Sequence, residues 1–301
     1  MKSVWIEGLR SVALTVPDLA AAETFYTEVW RLDVAARSDG ALYLRGSGRD
    51  HHLLELRAAP GLPQLLHVTL RARSAEALDA IAQATQAAGG VVERPAYASS
   101  APSGGSSLEI RDGDGRRIEI VFGDIRRPAD EPSPPDQPVR LAHAVLNSHD
   151  VAATQAFFER ALGFVLADRT RIMAFLNCDT DHHSIALGDT DNDALNHIAF
   201  VMPSVDAVMR GGGRMKDSGH GIEWGPGRHG PGDNAFNYFV DPFGIVIEYT
   251  AEVEQIDDSY RPGGPGDWTW PPGRVDQWGI SAPPSARLKE AQRAVVFAAA
   301  V

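Results

Sequence analysis

The stretch LAHAVLNSHDVAATQAFFERAL, residues 141–162, reads as a short apolar strand, an aspartate and then a helix with one apolar face, and the chain contains it twice. Its counterpart is LRSVALTVPDLAAAETFYTEVW at 9–30, where Asp18 stands in the place of Asp150. Farther along, LLHVTLRA around His67 mirrors LNHIAFVM around His197, and DGDGRRIEI at 112–120 mirrors DPFGIVIEY at 241–249. The spacings agree as well: 56 and 52 residues separate Ser11, His67 and Glu119, against 54 and 51 for His143, His197 and Glu248. A period this long means a duplicated domain and not a solenoid of short repeats.

Each copy is expected to run strand, helix, three strands, and then the same again, with helices near 18–30, 74–88, 150–162 and 204–216. The expected fold class is α+β: four βαβββ modules forming two tandem domains, with curved antiparallel sheet around a cleft. The first domain is placed at 1–126 and the second at 139–252. Between them RPADEPSPPDQP, 127–138, is a Pro-rich charged stretch suited to a semi-rigid connection. The tail, 253–301, contains YRPGGPGDWTWPPGRVDQWGI, too rich in Gly and Pro for a regular element, and then SARLKEAQRAVVFAAA, which reads as a terminal helix. Trp268, Trp270 and Trp278 are expected to dock this tail on the domains rather than to close over a site.

Composition narrows the partners. A hydrophobic content of 44% supplies two cores, whereas a net charge of -12 opposes a phosphate-binding surface, so nucleic acid is not an expected partner. No apolar run approaches bilayer length, and MKSVWIEGLRS lacks the apolar core of a signal peptide, so no membrane partner is expected. Cys178 is the single cysteine and excludes an internal disulfide. The expected setting is the reducing cytoplasm, and the apolar sheet edges suggest a homo-oligomer.

The two copies differ where chemistry would sit. The second carries His143, His197 and Glu248, each in a short apolar run, while the first has Ser11, His67 and Glu119. A histidine in a strand is more often a hydrogen-bonded core residue than a ligand. Glu248 is harder to explain that way, because a carboxylate among Ile245, Val246, Ile247 and Tyr249 needs a cation or strong donors. Two histidines and one carboxylate leave coordination positions open, which suits non-haem Fe(II) and oxygen; Mn(II) fits the same donors. The turn Asp241-Pro242-Phe243-Gly244 has the preferences of a three-residue hairpin loop, a register that pairs Tyr238 with Glu248. Tyr238 reads equally well as a core aromatic.

Taken together, LAHAVL, DHHSIAL, LNHIAFVM, GPGRHGPGDNAFNYFVDPFG and IVIEYT resemble the second domain of type I extradiol ring-cleavage dioxygenases, within the vicinal oxygen chelate (glyoxalase/bleomycin resistance) superfamily. The resemblance spans about 250 residues, the first copy being similar to the family's metal-free domain. It implies an Fe(II)-dependent enzyme that opens the ring of a catechol-like vicinal diol with O2, putting both oxygen atoms into the product. It further implies His143, His197 and Glu248 as metal ligands, His183 as the acid-base group, and His229 and Tyr238 as residues that hydrogen-bond substrate oxygens. Val145 departs from members that carry an asparagine there, and the tail maps onto nothing in the family pattern. His182 is expected to point away from His183 as a structural residue, His149 to be a surface or cap residue, and Cys178 to be a small packed side chain. His220, His51 and His52 acquire no role.

Three other readings remain at this level. An enzyme resembling 4-hydroxyphenylpyruvate dioxygenases would use the same trio on a 2-oxo acid, without need of His183, His229 and Tyr238 together. A glyoxalase- or epimerase-like enzyme usually builds its site across paired modules. A non-catalytic sequestering protein would leave the trio unexplained.

Overall fold

The computed structural model describes residues 3–128 and 134–299, so the expected connection at 127–138 lies partly outside the described residues. Four modules follow one another. The first is β1 (Ile6–Val16), α1 (Leu19–Thr24), β2 (Asp33–Ser38), β3 (Ala41–Arg45) and β4 (Leu54–Ala58). The second is β5 (Leu65–Ala72), α2 (Ala75–Ala87), β6 (Val91–Ala98), β7 (Ser106–Arg111) and β8 (Arg117–Phe122). The third is β9 (Arg140–Ser148), α3 (Val151–Leu162), β10 (Val165–Arg169), β11 (Met173–Asn177) and β12 (Ile185–Asp189). The fourth is β13 (Ala194–Val201), α4 (Val205–Asp217), β14 (Trp224–Arg228), β15 (Ala235–Val240) and β16 (Val246–Ala251).

Helix starts follow from local chemistry. Asp18 accepts from the amides of Ala20 and Ala21, Asp150 from Ala153, Ser74 from Ala77 and Ser204 from Ala207, so each helix has a side-chain cap on donors that lack an intrahelical partner. After α1 the chain passes through a π-helical turn, Phe25–Val29, which swings Tyr26 and Trp30 fully inside.

The sheets are mixed. The order β2-β3-β4-β1-β5-β8-β7-β6 is repeated as β10-β11-β12-β9-β13-β16-β15-β14. The expected antiparallel pairing holds along the hairpins and where two modules meet, at β1–β5 and β9–β13. The first and last strands of a module pair parallel instead, as in β9–β12 and β13–β16. This follows from the helical crossover, which returns the chain to the far side of a three-strand meander and lays the last strand beside the first.

The β15–β16 hairpin has the register read from its turn. Tyr238 lies opposite Glu248, the Asp241 amide donates to the Ile245 carbonyl at 2.9 Å, and Gly244 takes the left-handed conformation at φ 91°. Asp241 is buried and accepts from the amides of Phe243 and Ile245, both at 2.8 Å, and from the Tyr26 hydroxyl of the first domain, also at 2.8 Å. Trp30 stacks on Tyr249 with centroids 3.6 Å apart, and the Tyr249 hydroxyl donates to the Trp30 carbonyl. Gly211 lets α4 lie against the same strand, since a Cβ there would meet the Tyr249 ring at 2.7 Å. Two domains therefore clamp the hairpin that carries Tyr238 and Glu248.

The tail departs from expectation. Among its described residues only Ala286–Ala291 is helical (α5); Val295–Val296 (β17) pairs with β13, and Phe297 bridges to Leu65. Two valines and a phenylalanine beside a free stretch of strand backbone gain more from pairing than from extending a short helix. No helix among the described residues is long and apolar enough to cross a membrane.

Asp241→Ala should lower the free energy of unfolding by about 3 kcal/mol, because two amides and a phenol lose a buried acceptor. The midpoint of urea unfolding measures it.

Candidate metal centre and active-site cavity

His143, His197 and Glu248 lie on β9, β13 and β16, three consecutive strands of the second sheet. Ala199 of β13 pairs with His143 on one side and Glu248 on the other, with His197 two residues away on the same face. A methyl group at the crossing leaves space, and the three larger side chains lean over it. The carboxylate and both imidazoles are buried, Glu248 completely.

Their tips form a nearly equilateral triangle. His143 Nε2 is 3.2 Å from Glu248 Oε2, His197 Nε2 is 3.3 Å from the same oxygen, and the two Nε2 atoms are 3.3 Å apart. All three edges are long for hydrogen bonds, and no proton arrangement satisfies every pair, because two nitrogens that both donate to the carboxylate cannot also bond each other. Ligands on one face of an ion, each bonded at about 2.0–2.2 Å, stand at such separations. The donor set is therefore one that a divalent metal ion fits.

Neighbouring groups hold these donors in place. Asn196 Oδ1 accepts from His197 Nδ1 at 2.8 Å, which leaves Nε2 free for the centre, and Asn196 is itself held by Asn147. Asn234 donates to Glu248 Oε1 at 3.4 Å and to Thr250 Oγ1 at 2.7 Å. His143 Nδ1 is buried without a hydrogen-bond partner. Burial pushes the Glu248 carboxyl up, but the surrounding imidazoles of His143, His197 and His229 outweigh it and hold the group well below the usual carboxylate range. Burial brings His197 down to about 4 against the opposing pull of Glu248. An anionic carboxylate beside a neutral imidazole is the protonation state that metal binding needs.

The remaining predicted residues surround the trio. His183, in the loop before β12, stacks on the His143 ring with centroids 4.5 Å apart and has Phe175 against its edge. Tyr238 places its hydroxyl 3.3 Å from His197 Nε2 and 3.0 Å from His229 Nε2. Burial, and next the charge of Glu248, raises the Tyr238 phenol well above its ordinary value, so it stays protonated. All six predicted residues thus meet in one place. All of them but Glu248 border a cavity of about 640 Å³ whose walls are largely apolar, with Val145, Met173, Phe175, Trp224, Trp268 and Trp270 among them.

The tryptophans correct one expectation. Trp278 does dock the tail, under the Arg228 guanidinium, but Trp268 and Trp270 are walls of the cavity and close over the Gly230 segment. The reason is the run of prolines and glycines between Tyr260 and Gly273, which curls back over the site where an extended tail would leave it. Leu288 of α5 packs behind Tyr238 in the same apolar cluster as Phe236. Sequence reasoning also missed Asp168, Tyr260 and Asn234. Asp168 lay in plain sight as an acidic residue inside an apolar strand.

The first domain has a larger cavity, about 950 Å³, in the corresponding place. There His67 Nε2 and Glu119 Oε2 lie 3.4 Å apart, but Ser11 is too short to join them, and the Arg10 guanidinium donates to Ser11 Oγ at 2.8 Å and to His52. A fixed cation stands on that side of the first cavity. Among the described residues one other group has metal-binding spacing, Asp114, His149 and Asp193, but it is not fully buried and Arg116 already bonds both aspartates.

The profile of the Glyoxalase/Bleomycin resistance protein/Dioxygenase superfamily matches residues 8–120 and 140–249. The chain belongs to this superfamily. Metapyrocatechase 2 of Cupriavidus necator is 26% identical over 92% of this chain and 90% of its own length. Biphenyl-2,3-diol 1,2-dioxygenase of Pseudomonas sp. (strain KKS102) is 28% identical over 81% of this chain and 88% of its own. Among solved structures, a Mn(II)-bound glyoxalase from Novosphingobium aromaticivorans is 33% identical and covers 94% of both chains with a TM-score of 0.87. Homoprotocatechuate 2,3-dioxygenase from Brevibacterium fuscum, 24% identical, shares the fold over 92% of this chain and 80% of its own with a TM-score of 0.81.

His143→Ala should reduce bound metal to under about a tenth of an equivalent, since it removes one of three donors and leaves the carboxylate half-partnered. Metal analysis after anaerobic loading with iron checks this, with circular dichroism to confirm folding.

Proposed function

We propose that this protein is an extradiol dioxygenase: it opens the ring of a catechol-like vicinal diol next to its two hydroxyls, with both atoms of O2 entering the product. The observation that carries the reading is the triangle of His143 Nε2, His197 Nε2 and Glu248 Oε2 set in an apolar, aromatic-walled cavity beside His183 and Tyr238. Two relatives matched over most of the chain, one named a metapyrocatechase and one a biphenyl-2,3-diol 1,2-dioxygenase, support it.

We assign the ion as Fe(II), because two histidines and a carboxylate with open positions suit oxygen chemistry, while Mn(II) fits the same donors. When bound, it would supply a Lewis acid that acidifies a chelated diol and open positions for diol and O2 together. The protein contributes the rest. Apolar walls exclude water and lie against the aromatic ring. Tyr238 and His229, linked at 3.0 Å, orient a substrate oxygen. His183 takes a proton from the diol and returns it later, and burial, with His143 next in effect, lowers its pKa well below the ordinary value, which keeps it ready as a base.

The 33% identity to a Mn(II)-bound protein named a glyoxalase favours a second reading, in which the same ion serves an isomerisation that consumes no oxygen. Its strongest obstacle is that all three donors fall in one domain. Oxygen uptake separates the two. With an iron-loaded enzyme, catechols and biaryl diols should consume one O2 per diol and give a yellow product, while 2-oxo acids give none. No uptake with any diol would overturn the assignment. His183→Ala should retain its iron yet lose about 10²- to 10⁴-fold in kcat, the usual range for acid-base assistance.

A further inference from the structure

We infer that Asp168 and His182, neither of which touches the cavity, are positioning residues that fix the tautomer of His183 so that its Nε2 presents a lone pair to the substrate. The inference rests on the dioxygenase reading for its catalytic meaning, but its geometry stands apart from it.

Asp168 and His182 have no exposed surface. Asp168 Oδ1 accepts from the Gly263 amide at 2.5 Å, and Oδ2 accepts from the Tyr260 hydroxyl at 3.0 Å and from His182 Nε2 at 2.9 Å. A carboxylate only accepts, so in a neutral ring the His182 proton sits on Nε2 and Nδ1 carries a lone pair. That Nδ1 lies 3.0 Å from Nδ1 of His183. Two bare nitrogens would repel at this distance, so His183 holds its proton on Nδ1. In the neutral ring Nε2 is then bare, on the side away from His182, in a residue that lines the cavity.

The first domain reaches the same tautomer by another route. His51 and His52 repeat the contact, Nδ1 to Nδ1 at 3.0 Å, and Arg10 donates to His52 Nε2. A guanidinium only donates, so His52 Nε2 is an acceptor and its proton is on Nδ1. Where the first domain sets the Arg10 donor against this nitrogen, the second leaves the place to a substrate hydroxyl. The proton then moves from the diol oxygen to Nε2, giving an imidazolium whose Nδ1–H still points at His182 and, through it, at Asp168.

Asp168→Asn tests this. The Gly263 amide needs an acceptor, so the new carbonyl must take the Oδ1 place and the amide nitrogen the Oδ2 place, donating to His182 Nε2. Both histidines then switch, and His183 offers N–H where it offered a lone pair. With iron content unchanged and KM within three-fold of the parent, kcat should fall about 10²- to 10⁴-fold, as expected when a base is held in the wrong tautomer. Histidine ¹⁵N NMR of the full chain loaded with diamagnetic Zn(II) should show His183 as Nδ1–H in the parent and Nε2–H in Asp168→Asn. Nε2–H on His183 in the parent, or an iron-loaded Asp168→Asn enzyme turning over within three-fold, overturns the inference. A parent that cleaves no diol overturns the reading of the site instead, and the parent spectrum decides the network even if the variant does not fold.

Discussion

A carboxylate without exposed surface has to be compensated where it stands, and Glu248 stands in the middle of a sheet. The protein answers with two imidazoles at 3.2 and 3.3 Å and an asparagine, yet these leave a gap at the centre of the triangle that only a cation fills well. Much of the second domain is arranged around that requirement. Ala199 is small so that two side chains can converge over it, Asn196 sets the tautomer of His197, and the β15–β16 hairpin is held from both domains through Tyr26–Asp241 and Trp30–Tyr249.

Duplication explains how one domain came to support the other. Both halves keep the same strand order and the same adjacent-histidine contact, but replacing an imidazole by Ser11 removes a donor that nothing nearby can supply. Arg10 then provides positive charge covalently. The first domain is left with packing work, and its π-helical turn delivers Tyr26 and Trp30 to the hairpin of the second.

The tail couples the site to the end of the chain. Trp268 and Trp270 wall the cavity, Tyr260 binds Asp168, Leu288 backs Tyr238, and β17 completes an edge of β13. Substrate shape is therefore set in part by residues outside the duplicated framework.

By itself the sequence determined the duplication, the βαβββ order and the Tyr238–Glu248 register, because hydrophobic period, capping residues and turn chemistry act over a few neighbours. It also marked His143, His197 and Glu248, since polar residues in apolar strands stand out, and Tyr238 by its register, while His183 and His229 were marked by the resemblance to extradiol dioxygenases. Only the tertiary structure decided that these six meet, that the Trp-rich tail is a wall, that Val295 and Val296 leave the helix for a strand, and that Asp168 reaches His183 through His182. Those outcomes depend on contacts between residues far apart in the chain, and such contacts leave no local pattern to read.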